Sequence, residues 1–310
     1  MRFERSSIRS VLGLRFRDAT TERPVTEGLQ VTVRRKNGRA APTRAVRTVS
    51  GAYVAQGLAG LRAYERVPAD VPDDFSEEEH VEQSDYLVDV RDRRGRFVPV
   101  LMKAELPYTP QRKYRWLYPV FDPPPEEEVG GEGTPEPTVY LFSGVQRPVP
   151  SGQAVVYADL VEKVGGTWTP AAHAMVEVQH DVRSGGPGGD PNGNQKRQEV
   201  WYGVADAEGR ASVQFPWPST RQEGPSVLSG RKVPINVRVY STPDLPVLSR
   251  ASRPLMGKIV TQADKTPRPV YETPGTQTKE LERKLSYGEA LVLRTGDLST
   301  LRLTPPSTSS

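Results

Sequence analysis

Apolar and polar residues alternate with a period of two along most of this chain, the pattern of strands with one buried face. The run over 11–17 (Val-Leu-Gly-Leu-Arg-Phe-Arg) does so, as do Leu29 to Arg35, Gln153 to Leu160 and Val233 to Tyr240. Shorter strand-like runs lie at Thr43–Val49, Ala52–Ala55, Val139–Phe142, Ala174–Val178, Leu291–Arg294 and Leu301–Leu303. Turn signals separate them. Asn37-Gly38 predicts a tight hairpin, and Ser50-Gly51, Gly165-Gly166 and Thr295-Gly296-Asp297 predict further turns. Only Glu280 to Leu285 reads as a helical turn or two. Many short strands without long helices predict an all-β chain built of antiparallel sandwiches.

One turn motif occurs twice. Asp92-Arg93-Arg94-Gly95-Arg96 sits between Tyr86–Val90 and Phe97–Val100, and Asp206-Ala207-Glu208-Gly209-Arg210 between Val200–Val204 and Ala211–Phe215. The Asp side chain can bond backbone further along, and Gly three residues later supplies a positive φ. Two copies predict two hairpins in two modules of similar design.

At 310 residues the chain has room for two domains. Its 30 Pro and 27 Gly fit a turn-rich fold. The boundary falls at Asp122–Pro137, where Pro, Glu and Gly surround a single aliphatic residue, Val129. Such a stretch cannot form a core and reads as a semi-extended linker. The expected organisation is an N-terminal sandwich over 1–121 with an acidic excursion at 66–85, the linker over 122–137, a C-terminal sandwich over 138–304 and a disordered tail over 305–310.

Net charge is only +4, but residues 1–63 are rich in Arg while 70–85 are acidic. That asymmetry fits nucleic acid or an acidic surface. The basic residues are not interleaved with aromatics as on nucleic-acid platforms, so the expectation is no nucleic acid. Cysteine is absent, which rules out disulfides and thiolate metal sites. No stretch of about 18 apolar residues predicts a membrane span. The first ten residues lack the apolar core of a signal peptide, and a cytoplasmic location is expected.

Candidate chemistry is sparse. His173, Glu177 and His180 suggest a metal, but on a strand His180 points away from the other two. Asp190, Asn192 and Asn194 have the spacing that opens a calcium loop, with Trp201 where the closing Glu should be. There is no G-x-S-x-G, and three histidines offer few bases. Gly185 to Gly189 lacks the Lys and Ser/Thr of a phosphate loop. The expectation is no enzyme, no metal and no cofactor. Exposed aromatics offer the best candidate surface: Tyr114, Trp116 and Tyr118 in a Pro-flanked cluster, and Trp217 in Phe-Pro-Trp-Pro.

Phe16 to Val25, Leu29 to Val33 and Ser50 to Tyr53 resemble carboxypeptidase regulatory-like modules, which are small transthyretin-like β-sandwiches. Val155 to Leu160, Ala172 to Val178 and Gly203 to Arg210 resemble a looser version. Such modules are usually non-catalytic. Val139–Ser143, Arg147–Gly152, the Asp206–Gly209 turn and Phe215–Pro218 also look like accessory proteins of phage-tail-like contractile injection systems. That resemblance implies a structural or adaptor subunit that meets other protein subunits, homo-oligomers included, in a cytoplasmically assembled particle. It carries over no catalytic residue. A surface adhesin or carbohydrate-binding module, with Trp116, Tyr118 and Trp217 as stacking residues, is the rival expectation.

Overall fold

The computed structural model describes residues 7–8, 12–61, 66–67, 84–106, 138–183, 196–218, 232–243, 245 and 253–305. The interior of the acidic excursion, the segment with Tyr114, Trp116 and Tyr118, the stretch 122–137, the loop 184–195 and residues 306–310 lie outside them. Within the described residues the chain is all-β, arranged as two sandwiches.

The first ten strands are β1 (Ser7–Ile8), β2 (Leu12–Asp18), β3 (Leu29–Arg35), β4 (Thr43–Arg44), β5 (Val46–Arg47), β6 (Tyr53–Ala55), β7 (Arg66–Val67), β8 (Ser84–Asp92), β9 (Val100–Leu106) and β10 (Thr138–Leu141). One sheet has the order β10-β2-β6-β5 and the facing sheet β4-β3-β8-β9, while β1 and β7 pair separately. Alternation sets which side chains face the core. Leu12, Leu14 and Phe16 of β2 meet Val31 and Val33 of β3 and Val88 and Val90 of β8, all nearly fully buried. Phe16 packs edge-on to Tyr53 with ring centroids 5.4 Å apart.

The second sandwich comprises β11 (Gln153–Val164), β12 (Thr167–Pro170), β13 (Met175–Arg183), β14 (Lys196–Val204), β15 (Arg210–Pro216), β16 (Lys232–Tyr240), β17 (Val270–Thr273), β18 (Thr276–Thr278), β19 (Leu281–Ser286), β20 (Leu291–Leu293) and β21 (Leu301–Leu303). Its larger sheet runs β12-β11-β21-β17-β18, with β15 and β20 also on β11. The facing sheet runs β14-β13-β16-β19. Most pairings are antiparallel; β10 with β2, and β20 and β21 with β11, are parallel. Of Glu280–Leu285, expected as helical, residues 281–285 lie in strand β19. Leu281 and Leu285 satisfy period two as well as i,i+4, and pairing with β16 decides between them. The one described α-helix, α1 (Met256–Val260), has five residues, too few to show a period.

The joint between modules is not where composition places it. The strands on either side of 122–137, β9 and β10, both belong to the first sandwich. β10, expected to open the second module, instead lies parallel to β2 with Val139 beside Phe16. Val139 and Leu141 are buried in the first core, which explains the register. The chain then crosses to the second module through residues 142–152. Further contacts weld the modules. Met256, Ile259 and Val260 of α1 join the first core together with Met175, Val204 and Tyr240 of the second module. Gln262, 1 % exposed, donates to the carbonyls of His173 at 2.9 Å and Ile259 at 3.0 Å and accepts from Thr242 N at 2.7 Å.

The repeated turn has one chemistry and two outcomes. In each copy the Gly N–H bonds the Asp carbonyl, at 3.2 Å for Gly95 and 3.1 Å for Gly209, with φ at 67° and 77°. The Arg is the missed fifth member. Arg96 donates to Asp92 through its backbone N at 2.6 Å and Nε at 3.0 Å. Arg210 does the same to Asp206 at 2.9 and 3.0 Å. The strands beyond differ. β8 and β9 pair, as expected of a hairpin, after Phe97 and Val98 touch Ser143 and Phe142 across the sandwich. β14 and β15 lie in opposite sheets, so the second copy is an arch between sheets, contrary to the expected hairpin. Tight two-residue hairpins among the described residues lie at Gly165-Gly166, both at positive φ, with Val164 opposite Thr167, and at Pro274-Gly275, with Thr273 opposite Thr276. Asn37-Gly38 closes a longer connection, with Val33 opposite Thr43.

Candidate interaction surface

Of the aromatics expected at the surface, Tyr114, Trp116 and Tyr118 lie outside the described residues. Trp217 is 8 % exposed and belongs to the second core. It keeps the inward parity of Val213 and Phe215, its backbone N–H bonds Gly152 O at 3.0 Å, and its ring meets Tyr287 edge-on at 5.1 Å. Trp217 therefore packs the interior and offers no stacking face.

His173, Glu177 and His180 are not brought together. His173 occupies a turn before β13 with φ 60°. Burial, reinforced by the charge of Arg253, holds its pKa below the ordinary value. Glu177 points to the face of its sheet turned away from the second core. It accepts from Tyr240 Oη at 3.0 Å, from Gln179 Nε2 and from Arg238 Nη1 at 3.5 Å. Arg238 continues to Glu280 at 3.0 Å. His180 lies on the opposite face with Nδ1 3.0 Å from Pro234 O. Among the described residues no group of three His, Asp or Glu could hold a metal. Burial, then Glu177, pushes the Tyr202 phenol up to about 12, and Tyr240 rises for the same reasons. Phenols raised this far are donors to the carboxylate and poor bases at neutral pH. The cluster braces β13, β14, β16 and the start of β19.

Other buried charges hold strands in the same way. Asp18, 5 % exposed at the end of β2, takes two bonds from Arg147, Nη1 at 2.8 Å and Nη2 at 2.5 Å. Thr21 Oγ1 and Thr20 N complete its shell. Burial works to raise the Asp18 carboxyl, but bonds from Arg147, Thr21 and Thr20 outweigh it and leave it below the usual range. Arg147 also lies 5.2 Å over the Phe97 ring, and its carbonyl accepts from Gln214 of β15 at 3.1 Å. One residue thus ties β2, the first turn and the second module. In the second sandwich Arg268 pairs with buried Glu162 and donates to Thr304 O at 2.6 Å.

A patch that sequence reasoning missed lies on the outer face of the larger sheet. Its neighbours Leu301, Leu303, Val270 and Leu160 point into the core, so Arg302, Tyr271 and Trp168 point out. The Arg302 guanidinium sits 4.6 Å over the Trp168 ring. Tyr271 approaches the same ring edge-on at 6.4 Å. All three are partly exposed, and Lys163, Val164 and Gln277 around them are exposed. The residues are 134 positions apart at the extremes and meet only through β12, β11, β21 and β17 pairing. The visible signal was the alternation of Thr167-Trp168-Thr169-Pro170 after a two-glycine turn.

The sequence matches no protein-family model and no curated protein. Among solved structures the chain is similar to GBS52, the minor pilin of the Gram-positive pathogen Streptococcus agalactiae. The identity is 6 % and the TM-score 0.24, over 96 % of this chain and 98 % of that one. The Bacillus anthracis TIE protein matches at 11 % identity and TM-score 0.21, over 95 % of this chain and 34 % of that one. TM-scores of this size fall short of a shared fold.

Proposed function

We propose that the protein is a non-enzymatic structural or adaptor subunit that works through protein–protein contacts, with Trp168, Tyr271 and Arg302 at the centre of one contact. The observation that carries this reading is that patch. Trp, Tyr and Arg are the residues that dominate binding at protein interfaces. They stand here on the outer face of a sheet, where a broad partner can seat, whereas small ligands take concave sites. The welded modules supply a stiff support, and the buried charges at Asp18, Glu162 and Glu177 are all engaged in holding strands.

The finer reading is a subunit of a phage-tail-like contractile particle. Val139, Leu141, Phe142 and Phe215, which carry that resemblance, are all core residues, so the support is for a shared way of folding. The test is co-purification of the full chain and of Trp168→Ala from native lysate. The expected result is a stoichiometric partner retained by the native chain and lost by the variant; sheath, tube or baseplate proteins among the partners would support the finer reading. A native chain without any partner, or a variant that keeps them all, overturns the reading. Glycan-array binding that is lost in Trp168→Ala would replace it with the carbohydrate-binding alternative.

A further inference from the structure

The sheet β14-β13-β16-β19 ends on β19, and that edge reads almost the same in both directions. Residues 281–285 are Leu-Glu-Arg-Lys-Leu: apolar ends, a cationic centre, and Glu and Lys exchanged on reversal. We infer that β19 pairs antiparallel with β19 of a second copy of this chain, across a two-fold axis at Arg283, and so joins two four-stranded sheets into one. The inference adds an interface to the adaptor reading and uses none of Trp168, Tyr271 and Arg302. β16 covers one side of β19, with Ile235 opposite Arg283, and among the described residues no strand pairs with the other side. β16 also decides which backbone groups are left over. Pro234 turns its carbonyl toward β13, where His180 Nδ1 lies 3.0 Å away. The N–H and C=O of one residue point to one side of a strand, and the sides alternate. Val233, Ile235 and Val237 therefore bond Leu285, Arg283 and Leu281, while Glu282 and Lys284 aim their backbone groups at the open side.

The neighbouring edge groups are already engaged. Thr278 Oγ1 holds the Glu280 N–H at 3.2 Å and its C=O at 2.6 Å, and Ser286 O accepts from Glu289 N at 3.2 Å. Glu282 O accepts from Arg283 Nη1 at 2.8 Å and keeps a second lone pair. An axis at Arg283 sets Glu282 opposite Lys284 of the second copy, in the pairing that exchanges both N–H···O bonds. The same register places the two exposed side chains, Glu and Lys, across from each other on both sides of the axis. Buried Leu281 and Leu285 come opposite each other at the ends. Arg283 faces its own mate, but in each copy Glu272 holds it at 2.8 Å. An axis at Lys284 would set Lys on Lys. An axis at Glu282 would set Glu on Glu and call on the engaged backbone of Glu280. Charges on an edge repel most strands, and this order of charges admits its own copy. So short an edge buries little surface, which makes the dimer weak.

Sedimentation equilibrium of the full chain over about 1–100 µM should show monomer in exchange with dimer. Glu282→Lys and Lys284→Glu each turn both cross-axis pairs into like charges and should weaken the dimer roughly tenfold or more. An equimolar mixture of the two variants restores Lys against Glu on both sides of the axis and should associate as the native chain does. Both side chains are exposed, so native melting temperatures are expected; if one falls, Glu282→Arg and Lys284→Asp take their place. The chain has no cysteine, so a single introduced thiol reads the register. Arg283→Cys should give a disulfide-linked dimer on mild oxidation, because residues opposite each other in a non-hydrogen-bonded pair lie about 4.5 Å apart at Cα, within disulfide reach. Lys279→Cys, exposed but far along the strand from the axis, should not. A chain that stays monomeric, single variants that dimerise as the native chain does, a mixture that fails to recover, or cross-linking at 279 in preference to 283 overturns the inference. Trp168→Ala should dimerise as the native chain does, so failure here and failure of the Trp168 patch are separate results.

Discussion

The two D-x-x-G-R turns are chemically the same object, and the chain does different things after them. In both, an Asp carboxylate gathers the Arg backbone N–H and side chain, and Gly takes a positive φ. After the first, the chain returns to pair β9 with β8; after the second, it changes sheets. The difference lies in what each exit strand finds. β15 has seven residues of β11 to pair with, from Gln153 opposite Pro216 to Asp159 opposite Arg210. β9 finds β8, while the opposite sheet is occupied by β10 and offers only Phe142 and Ser143. Local chemistry specifies the turn, and the available strand partner specifies the topology.

The largest break in the comparison should come from the buried arginine of each module. Arg268→Ala would strand Glu162 in the second core, and Arg147→Ala would strand Asp18 at the edge of the first. Each should cost about 3–5 kcal/mol, the usual penalty for orphaning a buried charge. Urea unfolding followed by circular dichroism would measure it. The Arg147 guanidinium also bonds Ser143 and stacks on Phe97, so its loss should additionally raise hydrogen exchange at residues 142–152.

The turns themselves come next. Gly209→Ala places a Cβ 2.4 Å from the Leu160 carbonyl oxygen, a backbone atom that cannot step aside. Gly95→Ala meets the side-chain oxygen of Gln146 at 2.5 Å, which can swing away. Both carry the left-handed strain of about 1–2 kcal/mol. Only Gly209 adds overpacking of about 1–3 kcal/mol. The arch variant should therefore unfold at clearly lower urea than the first-turn variant, and equal midpoints would show that the Leu160 approach does not matter. Asp92→Ala and Asp206→Ala rank below. Asp92 has a fully buried side chain and Asp206 is 18 % exposed, so about 2 kcal/mol against about 1 is expected.

The period of two revealed the strands because each buries one face; Leu29–Arg35 is read from sequence with the bounds it has in the structure. Partnership was not legible. Nothing local to Val139–Leu141 says that it adds to β2 in the first sandwich, since strand pairing is decided by contacts more than 120 residues apart. The Pro-rich stretch misled for the same reason: composition marks where a core cannot form, and says nothing of which core the next strand joins. The Trp168 patch was hidden because its members share no sequence neighbourhood. Trp217 was overvalued because flanking prolines suggest exposure, whereas the parity of Phe215 carries it inward.

The smallest expected effects are in pH, acid-side in both modules and alkaline-side in the second. Asp18 titrates below the ordinary carboxylate range in the folded chain. Its contribution is therefore complete above the unfolded value near pH 3.9 and is lost as pH falls through the folded one. His173, lowered by burial, has the same sign: folding weakens as pH falls below about 6.5, where the unfolded imidazole takes a proton that the folded one resists. Tyr202 and Tyr240 of the second module are raised, so their share is present below about pH 10 and is lost as pH rises toward the folded value, about 12 for Tyr202. Phenolate absorbance at 295 nm should show two tyrosines ionising late, together with alkaline unfolding. Glu177→Gln should bring them only part of the way back, because burial is the larger cause. On the acid side, the gap in stability between the native chain and Arg147→Ala should shrink below about pH 4, since protonating Asp18 removes both the native ion pair and the variant's orphaned charge. A gap that stays constant down to pH 2 would mean that Arg147 acts through Phe97 and Ser143, and that Asp18 is incidental to the lock.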